Sequence, residues 1–213
     1  VSDFVATQCV PQLHRTGIDI APAVLTGLLD GGKCLRSTFM YLGWLCGGDP
    51  ESAADTAAVR ASAGLELLQA LGAELLFFSP LADQPVPAAA DALWLPGGYP
   101  ELYGATLAQA QHWQHSVRAF AARGRPVWAE CGGMMPLFDG LTQNDGVRFE
   151  MWGILPGEVR MQKRLAALGP QSWTTERGQL RGHTFHHSLT ESPLTPIAQT
   201  QRGNAYGKTE AIY

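Results

Sequence analysis

The chain has 213 residues, 46% of them hydrophobic and 16% charged, with a formal net charge of −4. That is enough apolar mass for one core of ordinary size, and it leaves no basic surplus that would make nucleic acid an expected partner. No apolar run reaches the roughly 18 residues a membrane helix needs, and Val1-Ser2-Asp3-Phe4 lacks the basic and apolar regions of a signal peptide. The cysteines at 9, 34, 46 and 131 include no C-x-x-C pair, so the expectation is a cytoplasmic protein with reduced thiols and no membrane partner.

Texture changes near residue 70. Residues 1–69 read as helix after helix: 22–29, then 33–46 with Leu35, Phe39, Leu42 and Leu45 on one face, then 51–71 with Val59, Ala63, Leu67 and Ala70 on another. No strand is apparent there. Beyond it, Glu74–Phe78 is a strand ended by Ser79-Pro80, and Ala92–Leu95 is a second strand ended by Pro96-Gly97-Gly98. Pro85–Asp91 between them reads as a surface loop. From Glu101 to Arg123 the apolar positions Leu107, Ala110, Trp113, Val117 and Phe120 fall three and four apart, which predicts one amphipathic helix stopped by Gly124 and Pro126. Pro126–Ala129 comes next as a third strand, and Gly132–Phe138 can begin a short helix. Further strands are expected within Val147–Leu155, Glu158–Met161 and Leu180–His187. Strand, helix, strand, turn, helix is the order of a doubly wound parallel sheet, an α/β architecture whose active groups lie at the carboxyl ends of the strands.

Both glycine-rich turns fall at such ends. Val127-Trp128-Ala129-Glu130-Cys131-Gly132-Gly133 places a cysteine directly after a strand and before a helical turn. The partial positive charge of a helix N-terminus favours thiolate, and glycine at 132 and 133 keeps side chains out of an acyl group's approach, as in a nucleophile elbow. The amide of Gly132 with one near Gly97 or Gly98 can form an oxyanion hole. Thiol-mediated acyl transfer through Cys131 is the expected chemistry. The residues equally allow Cys131 to be a small buried side chain closing a strand, with the glycines serving only backbone geometry.

Other candidates carry plainer readings. His183, His186 and His187 form H-x-x-H-H, but neighbours on a strand face opposite ways and no Cys or Asp completes a ligand set, so no metal is expected. One of them, His183 or His186, is the candidate substitute base for Cys131. His112 and His115 read as a solvated helix face, Trp94 and Trp128 as core at strand ends, and Glu130 as turn geometry or an acceptor for an amide. Gly27 to Cys34 has P-loop spacing with Cys in place of Ser or Thr, but helix rather than strand precedes it.

Residues from about 65 to 213 resemble the glutamine amidotransferase domain of the cobyrinic acid a,c-diamide synthase family. The segments that carry the likeness are Leu65–Pro80 (LELLQALGAELLFFSP), Leu95–Glu101 (LPGGYPE), Ala129–Met134 (AECGGM), Gly153–Gly157 (GILPG) and Arg181–Ser188 (RGHTFHHS). The resemblance implies a flavodoxin-like class I amidotransferase fold in which Cys131 attacks the side-chain amide of glutamine. It implies release of ammonia for amidation of a corrin carboxylate, at a synthetase site that uses ATP and Mg2+. The family's G-H-E-F-H-Y-S stands here as Gly182-His183-Thr184-Phe185-His186-His187-Ser188, with Thr for Glu and His for Tyr. The sequence stops before the family's S-Y-x-H, whose histidine assists the cysteine, and the ATP-binding synthetase domain is not in it.

Residues 1–70 are similar instead to the N-terminal helices of trans-isoprenyl diphosphate synthases, through Leu28–Phe39 (LLDGGKCLRSTF) and Ala61–Ala70 (ASAGLELLQA). In that family G-G-K-x-x-R, here Gly31, Gly32, Lys33 and Arg36, binds a diphosphate, although the aspartate-rich magnesium motif does not follow. The reading is therefore a chain with two parts: an all-α segment over 1–69 and an amidotransferase domain over 70–213. Three functions stand in order: glutamine hydrolysis serving corrinoid amidation, a silent domain that binds glutamine or a synthetase partner, and a diphosphate-binding module using Lys33 and Arg36.

Overall fold

A computed structural model describes residues 36–40, 72–95, 98–175, 178–202 and 208–213, with backbone alone at 36–40, 180, 181 and 183. The architecture is α/β. Strands β1 (Arg36–Met40), β2 (Glu74–Phe78), β3 (Ala92–Leu95) and β4 (Val127–Ala129) form a parallel sheet in the order β2-β1-β3-β4. The register runs Thr38 beside Leu76 and Leu93, then Trp94 beside Trp128. This order matches the first four strands of a flavodoxin-like sheet.

β1 departs from the helix expected over 33–46. A five-residue run carries too few apolar positions to choose between periods, and here both of its edges are taken by β2 and β3, so long-range pairing overrides local pattern. Arg36 opens that strand. Lys33 and the helices expected over 22–29 and 51–71 lie outside the described residues.

The helix expected from Glu101 to Arg123 is in fact three pieces: a 3-10 turn Pro100–Tyr103, then α1 (Gly104–Gln109) and α2 (Gln111–Ala122), parted at Ala110 with φ −72° and ψ 70°. The break has a partner across space. Asp83 Oδ1 accepts the Trp113 N–H at 2.9 Å and Oδ2 meets His112 Nδ1 at 2.7 Å, so a distant loop supplies the cap that the first turn of α2 lacks locally. Slight burial pushes the Asp83 carboxyl up, and these two bonds more than reverse it, leaving it below the usual range.

Despite the break, the expected stripe is intact. Leu107, Ala110, Trp113, Val117 and Phe120 are all buried, and Trp113 meets Phe78 at 4.7 Å and Trp152 edge-on at 5.2 Å between ring centroids. The core thus sits between the parallel sheet and the helices that come after β3.

After β4 two 3-10 turns, Cys131–Gly133 and Met135–Leu137, take the place of the short helix expected there. A second, mixed sheet has the order β10-β7-β5-β6, built from β5 (Gly140–Thr142), β6 (Arg148–Glu150), β7 (Glu158–Met161) and β10 (Ser188–Glu191). The strand expected over Val147–Leu155 is confined to β6, because the backbone beyond it bonds to a loop instead. The N–H groups of Met151, Trp152 and Gly153 go to the carbonyls of Asp139, Pro136 and Phe138. The long strands β8 (Ala167–Thr175) and β9 (Gly178–His186) pair antiparallel, with β12 (Gln201–Arg202) on the outer edge of β8; β11 (Ala198–Gln199) pairs β13 (Ala211–Ile212). No helix among the described residues is long and apolar enough to cross a membrane.

Asp83→Ala is expected to lower stability by about 1 kcal/mol through loss of the α2 cap. The check is the midpoint of urea unfolding.

Candidate active site

β4 delivers the chain into the site through Glu130, still extended at φ −136° and ψ 147°. The next residue reverses it. Cys131 has φ +48°, and among the described residues only Asp83 shares that condition without being glycine. A β-carbon in this left-handed region carries a strain of order 1–3 kcal/mol, a cost often found where a side chain must be presented at a strand-to-helix bend. The 3-10 turn closes at once, with Gly133 N–H to the Glu130 carbonyl at 2.9 Å and Met134 N–H to the Cys131 carbonyl at 3.2 Å. The Cys131 thiol is half-buried.

The two glycine turns touch. A β-carbon at Gly132 would fall inside the backbone of Gly98, overlapping its carbonyl and its nitrogen. The structure therefore brings together Cys131, Gly132 and Gly98, while Gly97 lies outside the described residues. Two bonds hold the strand ends in this register: Glu130 N–H to the Leu95 carbonyl at 3.0 Å, and the Trp94 indole N–H to Glu130 Oε1 at 2.6 Å. Glu130 and Trp94 are thus paired with each other.

On β9 the alternation expected of H-x-x-H-H is present from Thr184 onward. Thr184 and His186 are buried, Phe185 is exposed and His187 is half-buried. His186 Nδ1 donates to the Ser188 carbonyl at 2.9 Å, and Nε2 meets Glu210 Oε1 at 3.1 Å. The Thr184 hydroxyl donates to the same Glu210 oxygen at 3.0 Å. Burial pushes the Glu210 carboxyl up, but the bonds from His186 and Thr184 outweigh that and hold it below the usual range. Both ring nitrogens of His186 are therefore engaged. The side chain of His183 lies outside the described residues.

His186 and Glu210 line a cavity of about 220 Å³ with Met134, Lys208 and Tyr213. Met134 also lines a cleft of about 310 Å³ along β4, beside Trp128, Glu130 and Ile212. Met134, Ala211 and Tyr213 line both spaces, so the third residue after the cysteine and the C-terminal segment form the wall between them. Glu210 and Thr184 were not legible as a pair, because 26 residues separate them and only the β9 fold-back and the C-terminal segment bring them together. No group of three or more His, Cys, Asp or Glu able to hold a metal occurs among the described residues.

Residues 55–212 match the CobB/CobQ-like glutamine amidotransferase domain. The chain belongs to this family. It is 49% identical over 195 residues to a cobyrinate a,c-diamide synthase of Herminiimonas arsenicoxydans, covering 91% of this chain and 43% of that protein. Over 151 residues, 71% of this chain, it is 54% and 49% identical to hydrogenobyrinate a,c-diamide synthases of Stutzerimonas stutzeri and Pseudomonas aeruginosa, of which it covers 35% and 34%. The chain therefore spans less than half the length of these relatives. The family match begins at residue 55, and the Herminiimonas match, at 91% of the chain, runs well into the first 69 residues.

In this amidotransferase domain the contact between the glycine turns leaves no room for a methyl group. Gly132→Ala is expected to cost about 2 kcal/mol or more, since the atoms it meets are backbone; denaturant unfolding checks it. Glu210→Gln tests the buried pair. A carboxyl held low in the folded state adds stability that is present above its unfolded pKa and lost as pH falls through the folded one. The wild-type advantage of about 1–2 kcal/mol near neutrality should thus shrink in acid, as read from thermal melts across pH.

Proposed function

We propose that this chain is the glutamine-hydrolysing part of a cobyrinate or hydrogenobyrinate a,c-diamide synthase. The observation that carries the reading is Cys131 at φ +48° with Gly132 locked against Gly98, in a chain that belongs to the glutamine amidotransferase family. Cys131 Sγ attacks the side-chain carbonyl carbon of glutamine. The C–O π pair moves onto oxygen, where the amides at Gly132 and at the Gly97-Gly98 turn receive the negative charge, each donor contributing about 3 kcal/mol. The C–N bond then breaks, nitrogen takes a proton and leaves as ammonia, and water hydrolyses the thioester to glutamate. A base must accept the thiol proton and return it to the nitrogen, and His183 and His186 on β9 are the candidates.

The ammonia serves amidation of corrinoid carboxylates. Activation of those carboxylates belongs to the synthetase portion of the longer relatives, with ATP and Mg2+ as its cofactors, and this chain supplies nitrogen to it. Glutamine and that synthetase portion are its partners.

One observation favours a second reading, a domain that binds glutamine or a synthetase partner without turnover. Ser188 and Glu210 already occupy both nitrogens of His186.

A glutaminase assay separates the two. Cys131→Ala should reduce ammonia release to the uncatalysed background, with glutamate and ammonia formed one to one by the wild type. Equal release from both proteins would leave the silent reading in its place.

A further inference from the structure

Three residues after Gly98, in the 3-10 turn Pro100–Tyr103, stands a carboxylate whose surroundings neither the fold nor the cysteine chemistry explains. Glu101 is half-buried, and its Oε2 is shielded from solvent with no hydrogen-bond partner among the described residues. The carboxylate takes a bond from its own backbone N–H, and the His187 imidazole lies near enough to act on it electrostatically. Burial pushes its carboxyl up, with the backbone bond and His187 opposing. The backbone is pinned, because the Gln143 side-chain amide donates to the Glu101 carbonyl. Tyr99 and Leu102 on either side are 56% and 67% exposed, while Pro100 is buried and Tyr103 packs against the core, which anchors the turn around Glu101.

A partly desolvated carboxylate without a bonded counter-charge is costly unless it takes up a proton or a cation reaches it, and a ligand can bring that cation. The turn that carries it starts two residues after Gly98, which touches Gly132 beside the nucleophile. Glutamine held with its side-chain carbonyl carbon at Cys131 has one cation, the α-ammonium, four bonds further along. We propose that the Glu101 carboxylate is the subsite for the α-ammonium group of glutamine, selecting the amino acid over simple primary amides. This rests on the glutaminase reading of Cys131, which the same turn contact supports.

The test uses the whole chain and two alkylating probes: a diazoketone analogue of glutamine, and the same diazoketone without its α-amino group. In each, the Cys131 sulfur bonds to the diazo-bearing carbon, that carbon takes a proton, and dinitrogen leaves. Labelling of Cys131 is followed by mass spectrometry, and iodoacetamide, which carries no ammonium, monitors the thiol itself. The wild type is expected to prefer the amino probe by about ten- to a hundredfold. Glu101→Gln should bring that ratio near one with the iodoacetamide rate unchanged, and Glu101→Asp, which keeps the charge one methylene short, should retain part of the preference. A preference that survives in Glu101→Gln, or that is absent in the wild type while both probes still label, overturns the subsite and leaves the nucleophile standing. Slowing of both probes and iodoacetamide alike in both variants shows Glu101 to be a prop for the turn and likewise overturns it. Labelling of the wild type by iodoacetamide but by neither diazoketone removes the glutaminase reading and the subsite with it.

Discussion

The site depends on one close approach of backbone to backbone, Gly132 against Gly98. Parallel pairing of β3 with β4 sets Leu95 beside Ala129, so the two strands end side by side. The turns leaving those two ends must then share a space that no β-carbon can enter. The contact makes the cysteine bend and the Gly98 turn one unit, and the Trp94–Glu130 bond fastens that unit to the sheet at the last residues before it opens.

Strain at Cys131 is the counterpart of that contact. A non-glycine residue at φ +48° stays there only if its neighbours over-determine it. Two hydrogen bonds close the turn after it, Glu130 is tied to Leu95 before it, and Met135 and Leu137 just beyond it are buried in the core.

Charge is handled differently at the two carboxylates near the site. Glu210 is enclosed and bonded twice, by His186 and Thr184, which keeps it ionised despite burial. Glu101 is half-buried with Oε2 unpartnered among the described residues, which raises its proton affinity. The first is a structural anion that orients an imidazole; the second has capacity left over.

The α/β class, β2 and β3, the buried stripe from Leu107 to Phe120 and the two glycine turns were all legible in the sequence, because each is written in local periodicity or in glycine at a strand end. The break at Ala110 was not, since its cause is Asp83 in a remote loop. Nor was β1, whose five residues become a strand only when two neighbours supply hydrogen bonds on both edges. The sequence by itself determined that a cysteine followed by two glycines stands at the end of an apolar run, a pattern that suits a thiol site and a plain strand-closing turn alike. Only the tertiary structure decided that Gly132 meets Gly98, that Glu210 reaches His186, and that Glu101 is left with an open oxygen. Those are distances between segments far apart in the chain, and no local pattern encodes them.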